Sequence, residues 1–327
     1  MGQDVDLQAL AQMLRASRSL AAKADIGPAM QRLGLSGSSA VPVGDDCAAI
    51  PDGEGHLLLA IEGFMNEFVA ADPWFAGWCG VMVNLSDVAA MGGRPLAIVD
   101  VIWAEGEDGA KAVLDGLRAA AAAYGVPIVG GHTNVRTDRS QLSVAILGRA
   151  KRLLTSFDAR PGDRLVMAVD LRGQYREPFS NWEAATKAPA ERLRGDLELL
   201  PRIAEAGLAR AAKDISQGGI VGTAAMLAEC SGVAIAIDVD AVARPQGVRL
   251  ERWLLSFPSF GYLMAVRPEN VPAVLQLFAG RDIAAADIGT IAAGSTVAIT
   301  DGRSVETIWD FSQRPLLACG LGQGVAA

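Results

Sequence analysis

Short apolar runs alternate with amphipathic stretches along the first half of this chain, and the alternation predicts strands and helices in turn. The runs at 56–64, 96–104 and 142–150 are apolar and free of proline, which is typical of strands. Residues 108–125 instead repeat apolar side chains at helical spacing and end in a glycine, so they predict an amphipathic helix. The first half of the chain therefore mixes strands and helices.

The second half repeats this style after a turn-rich, charged segment, FDARPGDRL, which suggests a domain junction near residue 155. Strands are predicted at 164–171, 233–240, 261–266 and 295–302, and helices at 191–208, 218–232 and 270–280. The polar segment 173–189 is long enough for a lid or a substrate loop, and equally suits an ordinary surface insertion. We predict two α+β domains, residues 1–155 and 156–327.

Residues 81–95, VMVNLSDVAAMGGRP, contain one carboxylate in a predicted helix whose other side chains are mostly apolar. The helix is expected to begin near Asp72, which can cap it, and to end near Gly92. Asp87 is the only charged residue in this predicted helix. A buried carboxylate becomes protonated or finds a cation. The stretch alone leaves two interpretations open, a core aspartate satisfied by backbone donors or an arginine, and a metal ligand.

Composition narrows the classes of protein. The chain has 327 residues, of which 51% are hydrophobic, and a net charge of -8 without a long basic run. Nucleic acid is therefore not expected as a main partner, and an anionic substrate needs a metal ion, backbone amides or local Lys and Arg. The start lacks a secretory apolar core and no apolar run is long enough to span a bilayer, so we expect a cytoplasmic protein.

The cysteines and histidines argue against a zinc site. The four cysteines are scattered without a CxxC pair, which predicts reduced core thiols: Cys47, Cys79, Cys230 and Cys319. His56 and His132 are the only histidines. The sequence also has no Gly-Lys pair, which excludes a P-loop, and no G-x-S-x-G nucleophile elbow.

Further acidic residues stand at strand ends or beside glycine turns. They are Asp45 and Asp46 in VGDDCAAIP, Glu62 in IEGF and Asp214 in KDISQGG. Oxygen ligands on short side chains suit Mg²⁺, which keeps waters and bridges to substrate phosphates. Glycine turns that open helices offer backbone N–H groups to phosphate. Each piece also has an ordinary interpretation as a surface turn, a strand end or a hydrogen-bonded histidine, and the sequence alone does not prove that the pieces converge.

Five segments in a fixed order carry a family resemblance: VGDDCAAIP, NLSDVAAMGGRP, VGGHTN, ARPGDRL and KDISQGGI. Together they resemble the AIR synthase (PurM-like) superfamily over roughly residues 40–300, and the ordered combination is specific although each segment alone is weak. The resemblance implies two α+β domains and a homodimer in which strands of both N-terminal domains close a β-barrel. It also implies ATP in a cleft near that interface, with Mg²⁺ bound by Asp45, Asp46, Asp87 and Asp214.

The resemblance further implies an ATP- and Mg²⁺-dependent phosphotransferase acting on a small metabolite, with neither nucleic acid nor membrane as partner. Asp87 and Asp214 would stand at the catalytic centre, with Glu62 as a weaker metal ligand. Contacts to the nucleotide are expected from Asn84, Gly130, Gly131, His132, Thr133 and Ser216. Catalysis would consist mainly of positioning and charge neutralisation.

Three departures from the family pattern keep other functions open. Glu62 stands where an aspartate is usual, and His132 and Gln217 replace aspartates of the thiamine-monophosphate kinase branch. The reactive Cys or Sec of selenophosphate synthetases has no counterpart before Cys47, although Lys23 lies in the early segment. The alternatives are an ATP-dependent ligase or cyclase that activates an amide oxygen, and a nucleotide-binding regulatory protein without turnover.

Overall fold

The computed structural model describes residues 6–35 and 40–319, and its elements follow most of the predicted alternation. The α-helices are α1 (Leu7–Arg15), α2 (Arg18–Ala21), α3 (Ile26–Arg32), α4 (Asn66–Ala71), α5 (Pro73–Ala90), α6 (Gly106–Tyr124), α7 (Ala190–Leu197), α8 (Leu199–Ala206), α9 (Gly219–Ser231), α10 (Leu250–Trp253) and α11 (Val271–Ala279). The early strands are β1 (Ala48–Asp52), β2 (Gly55–Phe64), β3 (Arg94–Glu105), β4 (Ile128–Asn134) and β5 (Arg136–Ala150). The later strands are β6 (Arg164–Val169), β7 (Gln174–Tyr175), β8 (Asn181–Glu183), β9 (Ala211–Asp214), β10 (Ala234–Asp238), β11 (Phe257–Pro258), β12 (Gly261–Val266), β13 (Ala284–Ala292), β14 (Thr296–Thr300) and β15 (Val305–Asp310).

One predicted helix is divided in the structure, and the polar segment 173–189 forms strands. The single helix expected over 191–208 is divided into α7 and α8. Pro201 lacks the N–H that a continuous helix needs at that point, whereas it fits the first turn of a new helix. The segment 173–189, for which the sequence suits a lid or a surface insertion, contains β7 and β8, which form a three-stranded sheet with β11.

The helix α5 is the central element of one compact unit, which comprises residues 46–153 and 185–205. The Asp72 carboxylate accepts a hydrogen bond from the Phe75 N–H at 3.3 Å, and Pro73 occupies the first turn, as the sequence predicts. Every residue of α5 after Trp74 is buried, consistent with its apolar surface on all sides. The position of this helix fixes where its few polar side chains lie.

A five-stranded sheet in the order β1-β2-β5-β3-β4 packs one face against α5. The helix approaches β5 so closely that a Cβ on Gly80 would lie 2.7 Å from the Val144 side chain. The other face exposes apolar side chains at neighbouring positions, namely Leu59, Ile61, Val99 and Leu147. An uncovered apolar sheet face of this kind marks an interaction surface.

The helices α7 and α8 belong to this same unit. Arg194 donates to the Ala122 and Ala123 carbonyls at 2.7 and 2.9 Å and so caps the end of α6. Arg94 at the start of β3 donates to Glu198 and Glu205, and these two carboxylates raise its pKa. The ion pairs fix both short helices against the sheet-bearing part of the unit.

The second compact unit consists of residues 6–35, 40–45, 154–184 and 206–319 within the described chain. Its seven-stranded sheet has the order β15-β14-β10-β13-β6-β12-β9, and β6 runs antiparallel to both β12 and β13. Leu10 and Leu14 of α1 are buried in the same cluster as Val221 of α9 and Ile299 of β14. This shared burial places the N-terminal helix in the core of the later half of the chain.

The observed units therefore differ from the division into 1–155 and 156–327. The chain changes units at residues 153–154, near the expected junction, but it also changes at 45–46, 184–185 and 205–206. The reason is burial: the leucines of α1 complete one core, and α7 and α8 are bound to α6 and β3 of the other unit. Within the described residues, no helix is long and apolar enough to cross a membrane.

Candidate functional site

Asp46 and Asp87 come together within the unit built around α5. A carboxylate oxygen of each lies within 4.8 Å of the other, with Asp87 buried and Asp46 half-buried. Two ionised carboxylates at this distance repel each other unless a cation or a proton intervenes. Hard carboxylate oxygens, with one side partly open to water, are the donors that Mg²⁺ prefers. The pair therefore fits a magnesium ion.

The end of α5 positions this pair. The Cys47 N–H donates to the Met91 Sδ at 3.0 Å, and both residues are buried. The Met91 N–H in turn donates to the Asp87 carbonyl at 3.3 Å. The residue after Asp46 is thus tied to the last turn of α5, one turn beyond Asp87. This local tie brings the two aspartates together, although they are far apart in the sequence.

Asn84 lies one turn before Asp87 on α5 and is completely buried. Its Nδ2 donates to the Gly80 carbonyl at 2.8 Å, while no described residue donates to its Oδ1. A buried amide oxygen without a donor raises the free energy of the folded state until a partner binds. Residues three apart share a helix face, so this oxygen is a candidate for ordering water or ligand beside Asp87.

Asp100 is a buried carboxylate that the sequence analysis missed. It lies on β3, opposite Val144 on β5 and Gly131 on β4. A Cβ on Gly131 would be 2.7 Å from both carboxylate oxygens of Asp100, so only glycine fits beside it. Burial raises the pKa of Asp100. The signal was present in the sequence as a lone acidic residue inside the apolar run LAIVDVIWA.

The strand predicted at VPIVGG (126–131) is present as β4, and it continues through the residues that were expected to contact the nucleotide as a turn. Gly130, Gly131, His132 and Thr133 all lie within β4, which pairs in parallel with β3 and is exposed along its whole length. The His132 ring lies beside Trp103, with ring centroids 6.3 Å apart. These four residues therefore occupy the border of the sheet rather than a turn that opens a helix.

Asp45 and Glu62 have other surroundings than the Asp46–Asp87 pair. The Asp45 carboxylate accepts from the Ser156 N–H at 2.7 Å and from the Ser156 hydroxyl, and it lies 3.7 Å from Lys213 Nζ. These contacts commit Asp45 to a buried ion pair inside its own unit. Glu62 is exposed at the end of β2 and does not lie within ion-sharing distance of Asp46 and Asp87.

Asp214 ends β9 in the other unit, where it is buried opposite Tyr262 of β12. The Thr223 hydroxyl of α9 donates to the Asp214 carbonyl at 3.2 Å. Gly218 and Gly219 follow with positive φ values of 106° and 66°, and they form the turn that opens α9. Asp214 thus stands where a strand passes into a glycine turn, as the sequence predicts.

A lysine of the N-terminal segment lies against this turn. Lys23 Nζ donates to Ser216 Oγ at 3.2 Å, and both side chains are half-buried. The turn thereby combines a cation and a hydroxyl, both of which can donate hydrogen bonds to an anion. Sequence patterns do not predict this contact, because it joins residues 193 positions apart.

Comparison with known proteins places these features in a family. A model described as "AIR synthase related protein, N-terminal domain" matches residues 44–150, and its C-terminal counterpart matches residues 161–302. An uncharacterized protein of Synechocystis sp. is 48% identical over 88% of this chain and 89% of that protein. The thiamine-monophosphate kinase of Pyrococcus abyssi is 29% identical over 81% of this chain and 88% of the kinase.

The solved structure of T. maritima PurL complexed with ATP has a TM-score of 0.71 to this chain at 20% identity. The match covers 84% of this chain and 46% of that PurL chain, so the chain spans about half the length of this structural relative.

Replacing Asp100 by asparagine should raise the Tm at pH 7, and the gain should shrink toward pH 4. Because burial raises the pKa of Asp100 in the folded state, ionising it destabilises the fold. That cost is absent below the ordinary aspartate pKa of about 4 and grows as pH rises through the raised value. Thermal unfolding at several pH values measures the difference. A gain in Tm that is independent of pH, or a lower Tm at pH 7, would contradict this. The control is Asp138→Asn, which changes an exposed aspartate.

Proposed function

The chain belongs to the AIR synthase-related family, and from that premise we propose that it is an ATP- and Mg²⁺-dependent phosphotransferase acting on a small metabolite. The expected two-domain, PurM-like α+β fold is confirmed by the family match and by the likeness to PurL. Relatives of the chain include a thiamine-monophosphate kinase and a PurL solved in complex with ATP, which supports ATP as a substrate here.

The proximity of Asp46 and Asp87 is the observation that carries this proposal. The pair is built by two buried contacts, through Cys47 and Met91, rather than by chance on a surface. We assign the two carboxylates to one Mg²⁺ ion, with the remaining positions left to water and phosphate oxygens. The Asn84 Oδ1 is available to accept a hydrogen bond from a bound water, which would orient that water beside Asp87.

The other predicted site residues receive separate roles in the proposal. The resemblance adds Asp214 as a further acidic residue at the catalytic centre. Lys23 and Ser216 are assigned to phosphate oxygens, since both point their polar groups at the turn that opens α9. Asp100, opposite Gly131 across β3 and β4, is proposed to supply the carboxylate that His132 lacks at this border of the sheet. Asp45 is assigned a structural role through Ser156 and Lys213.

In this reaction the γ-phosphoryl group of ATP passes to a nucleophilic oxygen of the acceptor, and ADP leaves. Bound Mg²⁺ would supply neutralisation of the charge on the phosphate oxygens. The chain's own residues would hold the ion and orient the nucleotide. Positioning and electrostatics of this kind account for most of the catalysis in phosphoryl transfer.

A second function, ATP-dependent activation of an amide oxygen, is favoured by the likeness to PurL. A third, nucleotide binding without turnover, is favoured by Glu62, His132 and Gln217 at positions where the kinase branch has aspartates. Release of ADP in a panel of phosphorylated metabolites and amides distinguishes the three. A kinase produces ADP and a phosphorylated acceptor, a ligase also needs an amine donor, and a regulatory protein produces neither.

Thiamine monophosphate should be a poor acceptor. This chain has His132 and Gln217 where the thiamine-monophosphate kinases have aspartates. The region that those kinases use for their substrate and metal ions is therefore less negatively charged here. A coupled ADP assay with thiamine monophosphate should therefore show no turnover above the rate of ATP hydrolysis alone. A turnover rate of about 1–10³ s⁻¹, the usual range of enzyme kcat values, would contradict this expectation.

Replacing Asp87 by asparagine should weaken Mg²⁺-dependent ATP binding at least about tenfold and leave the fold intact. Asparagine keeps the shape of the side chain but removes the charge that holds the ion. Calorimetry with ATP, in Mg²⁺ and in EDTA, measures the affinity, and thermal unfolding without ligand measures the stability. Wild-type protein should bind ATP clearly only with Mg²⁺, because a net charge of -8 and clustered carboxylates repel a bare triphosphate.

Asp170→Asn is the matched control for that variant. Asp170 is also buried, but it accepts from the Arg172 N–H and Nε at 2.9 and 2.8 Å, so it belongs to a structural ion pair. Its replacement should lower the Tm and leave the Mg²⁺–ATP affinity of the folded protein unchanged. A large loss of stability in Asp87→Asn with normal affinity would mean that Asp87 is a core residue rather than a metal ligand.

We further propose that the protein is a homodimer that pairs through the exposed apolar face of the five-stranded sheet. Light scattering at micromolar concentration should give the mass of a dimer, and Ile61→Lys should shift it toward the monomer. Ile61 is 67% exposed on that face, and a charge there would be buried in the interface. Val305→Lys is the control, since Val305 is equally exposed on β15 of the other unit. A wild-type monomer at all concentrations would disprove this arrangement.

A further inference from the structure

Two thiols from distant parts of the sequence meet in the unit that contains α9. Cys230 lies in the last turn of α9, and Cys319 lies at the end of the described chain. The two side chains hydrogen-bond to each other, and each sulfur also lies 3.9 Å from the Gly44 carbonyl oxygen. Both cysteines are buried, with 6% and 2% of their surfaces exposed. The sulfurs therefore share one acceptor and are already neighbours.

The contact is held in place by the backbone on both sides. Glu229, the residue before Cys230, accepts from the Leu316 and Leu317 N–H groups at 2.8 and 2.6 Å. Leu316 and Leu317 are buried in the core of the same unit. Three consecutive residues before Cys319 are thus bound to α9, because the Ala318 N–H also donates to Glu229 at 3.3 Å. This places the segment 316–319 in one register against the helix.

Gly44 closes the arrangement from the third side. Its φ of +117° lies in the region that favours glycine, and a Cβ at this position would be 2.4 Å from the Cys319 sulfur. Any larger residue would push Cys319 away from its place. The close approach of the backbone is therefore part of what keeps the two thiols together.

We propose that Cys230 and Cys319 form a disulfide by exchange with a small-molecule disulfide, and that this bond locks the segment 316–319 to α9. The modification would connect two elements that are otherwise held by hydrogen bonds and apolar contacts alone. It does not depend on the proposed phosphotransferase activity, because the thiols, the acceptor and Glu229 all belong to the fold itself.

The chemistry balances in two steps of thiol–disulfide exchange. Cys319 loses its proton, and its sulfur attacks one sulfur of the small disulfide, which forms a mixed disulfide and releases one thiol. Cys230 then loses its proton and attacks the Cys319 sulfur, which forms the protein disulfide and releases the second thiol. Two protein thiols are oxidised, one small disulfide is reduced, and the two protons end on the two released thiols.

The surroundings favour this order of events. The hydrogen bond from Cys230 lowers the pKa of Cys319, and the positive charge of Lys213 acts in the same direction. The same hydrogen bond, together with burial, raises the pKa of Cys230. Cys319 is therefore the better initial nucleophile, and Cys230 serves as the resolving thiol. Because both are buried, reaction with the small disulfide follows local opening of the C-terminal segment.

Oxidation of the full-length protein by glutathione disulfide tests the proposal. Reduced protein is incubated at graded ratios of oxidised to reduced glutathione, the remaining thiols are alkylated, and the peptides are mapped by mass spectrometry without reduction. The expected product is a cross-linked peptide pair that joins Cys230 to Cys319, with Cys47 and Cys79 still alkylated. The oxidised protein should melt roughly 5 °C or more above the reduced protein, since the bond closes a long loop in the unfolded chain.

Serine variants separate this bond from general oxidation. Cys230→Ser should accumulate the glutathione adduct of Cys319 without a cross-link, and Cys319→Ser should form neither product. Neither variant should gain thermal stability on oxidation, whereas Cys79→Ser, which changes a buried cysteine of α5, should retain both the cross-link and the gain. The mapping of wild-type protein decides the question even if a variant fails to fold. Full alkylation of Cys230 and Cys319 under oxidising conditions, or cross-links to other cysteines, would overturn the proposal.

Discussion

Two carboxylates held a few ångströms apart raise the free energy of a folded protein, and here that repulsion is built in by the position of α5. The helix is buried along nearly its whole length, so Asp87 cannot turn toward bulk water without displacing packed apolar side chains. The contact between Cys47 and Met91 then brings Asp46 to the same place. The other polar groups of this unit that belong to the candidate site are Asn84 and Asp100.

The neighbouring polar groups follow the same logic. Asn84 keeps an amide oxygen without a donor in a fully buried position, and Asp100 keeps a carboxylate whose pKa is raised by burial. Both arrangements cost stability in the folded protein, and a ligand that supplied the missing partner would relieve that cost. By contrast, Asp45 is satisfied by Ser156 and Lys213, and its surroundings resemble those of a structural ion pair. Local chemistry thus separates adjacent aspartates into two different roles.

The Gly44-Asp45-Asp46 segment shows how closely the candidate site and the structural contacts lie along the chain. Within three residues, one carbonyl accepts from two thiols, one carboxylate pairs with a buried lysine, and one carboxylate faces Asp87. The thiols belong to segments 89 positions apart in sequence, between residues 230 and 319. Oxidation of the two thiols would therefore lock the segment 316–319 to α9, and no sequence motif indicated this contact.

The sequence by itself determined the elements and the type of chemistry. Apolar periodicity predicted α5, α6 and the main strands, because burial on one face or on all faces leaves a direct imprint on residue order. The lone charge of Asp87 and the glycine turn after Asp214 were also visible, and the ordered motifs identified the family and the fold.

Only the tertiary structure decided which of these residues meet. The sequence could not predict that α1 completes the later core, that β4 is exposed along its whole length, or that Asp100 lies against Gly131. It could not join Lys23 to Ser216 or Cys230 to Cys319, and it could not separate Asp45 from Asp46. The physical reason is that local patterns record the burial and the backbone conformation of single elements, whereas these contacts arise from the packing of segments that are distant along the chain.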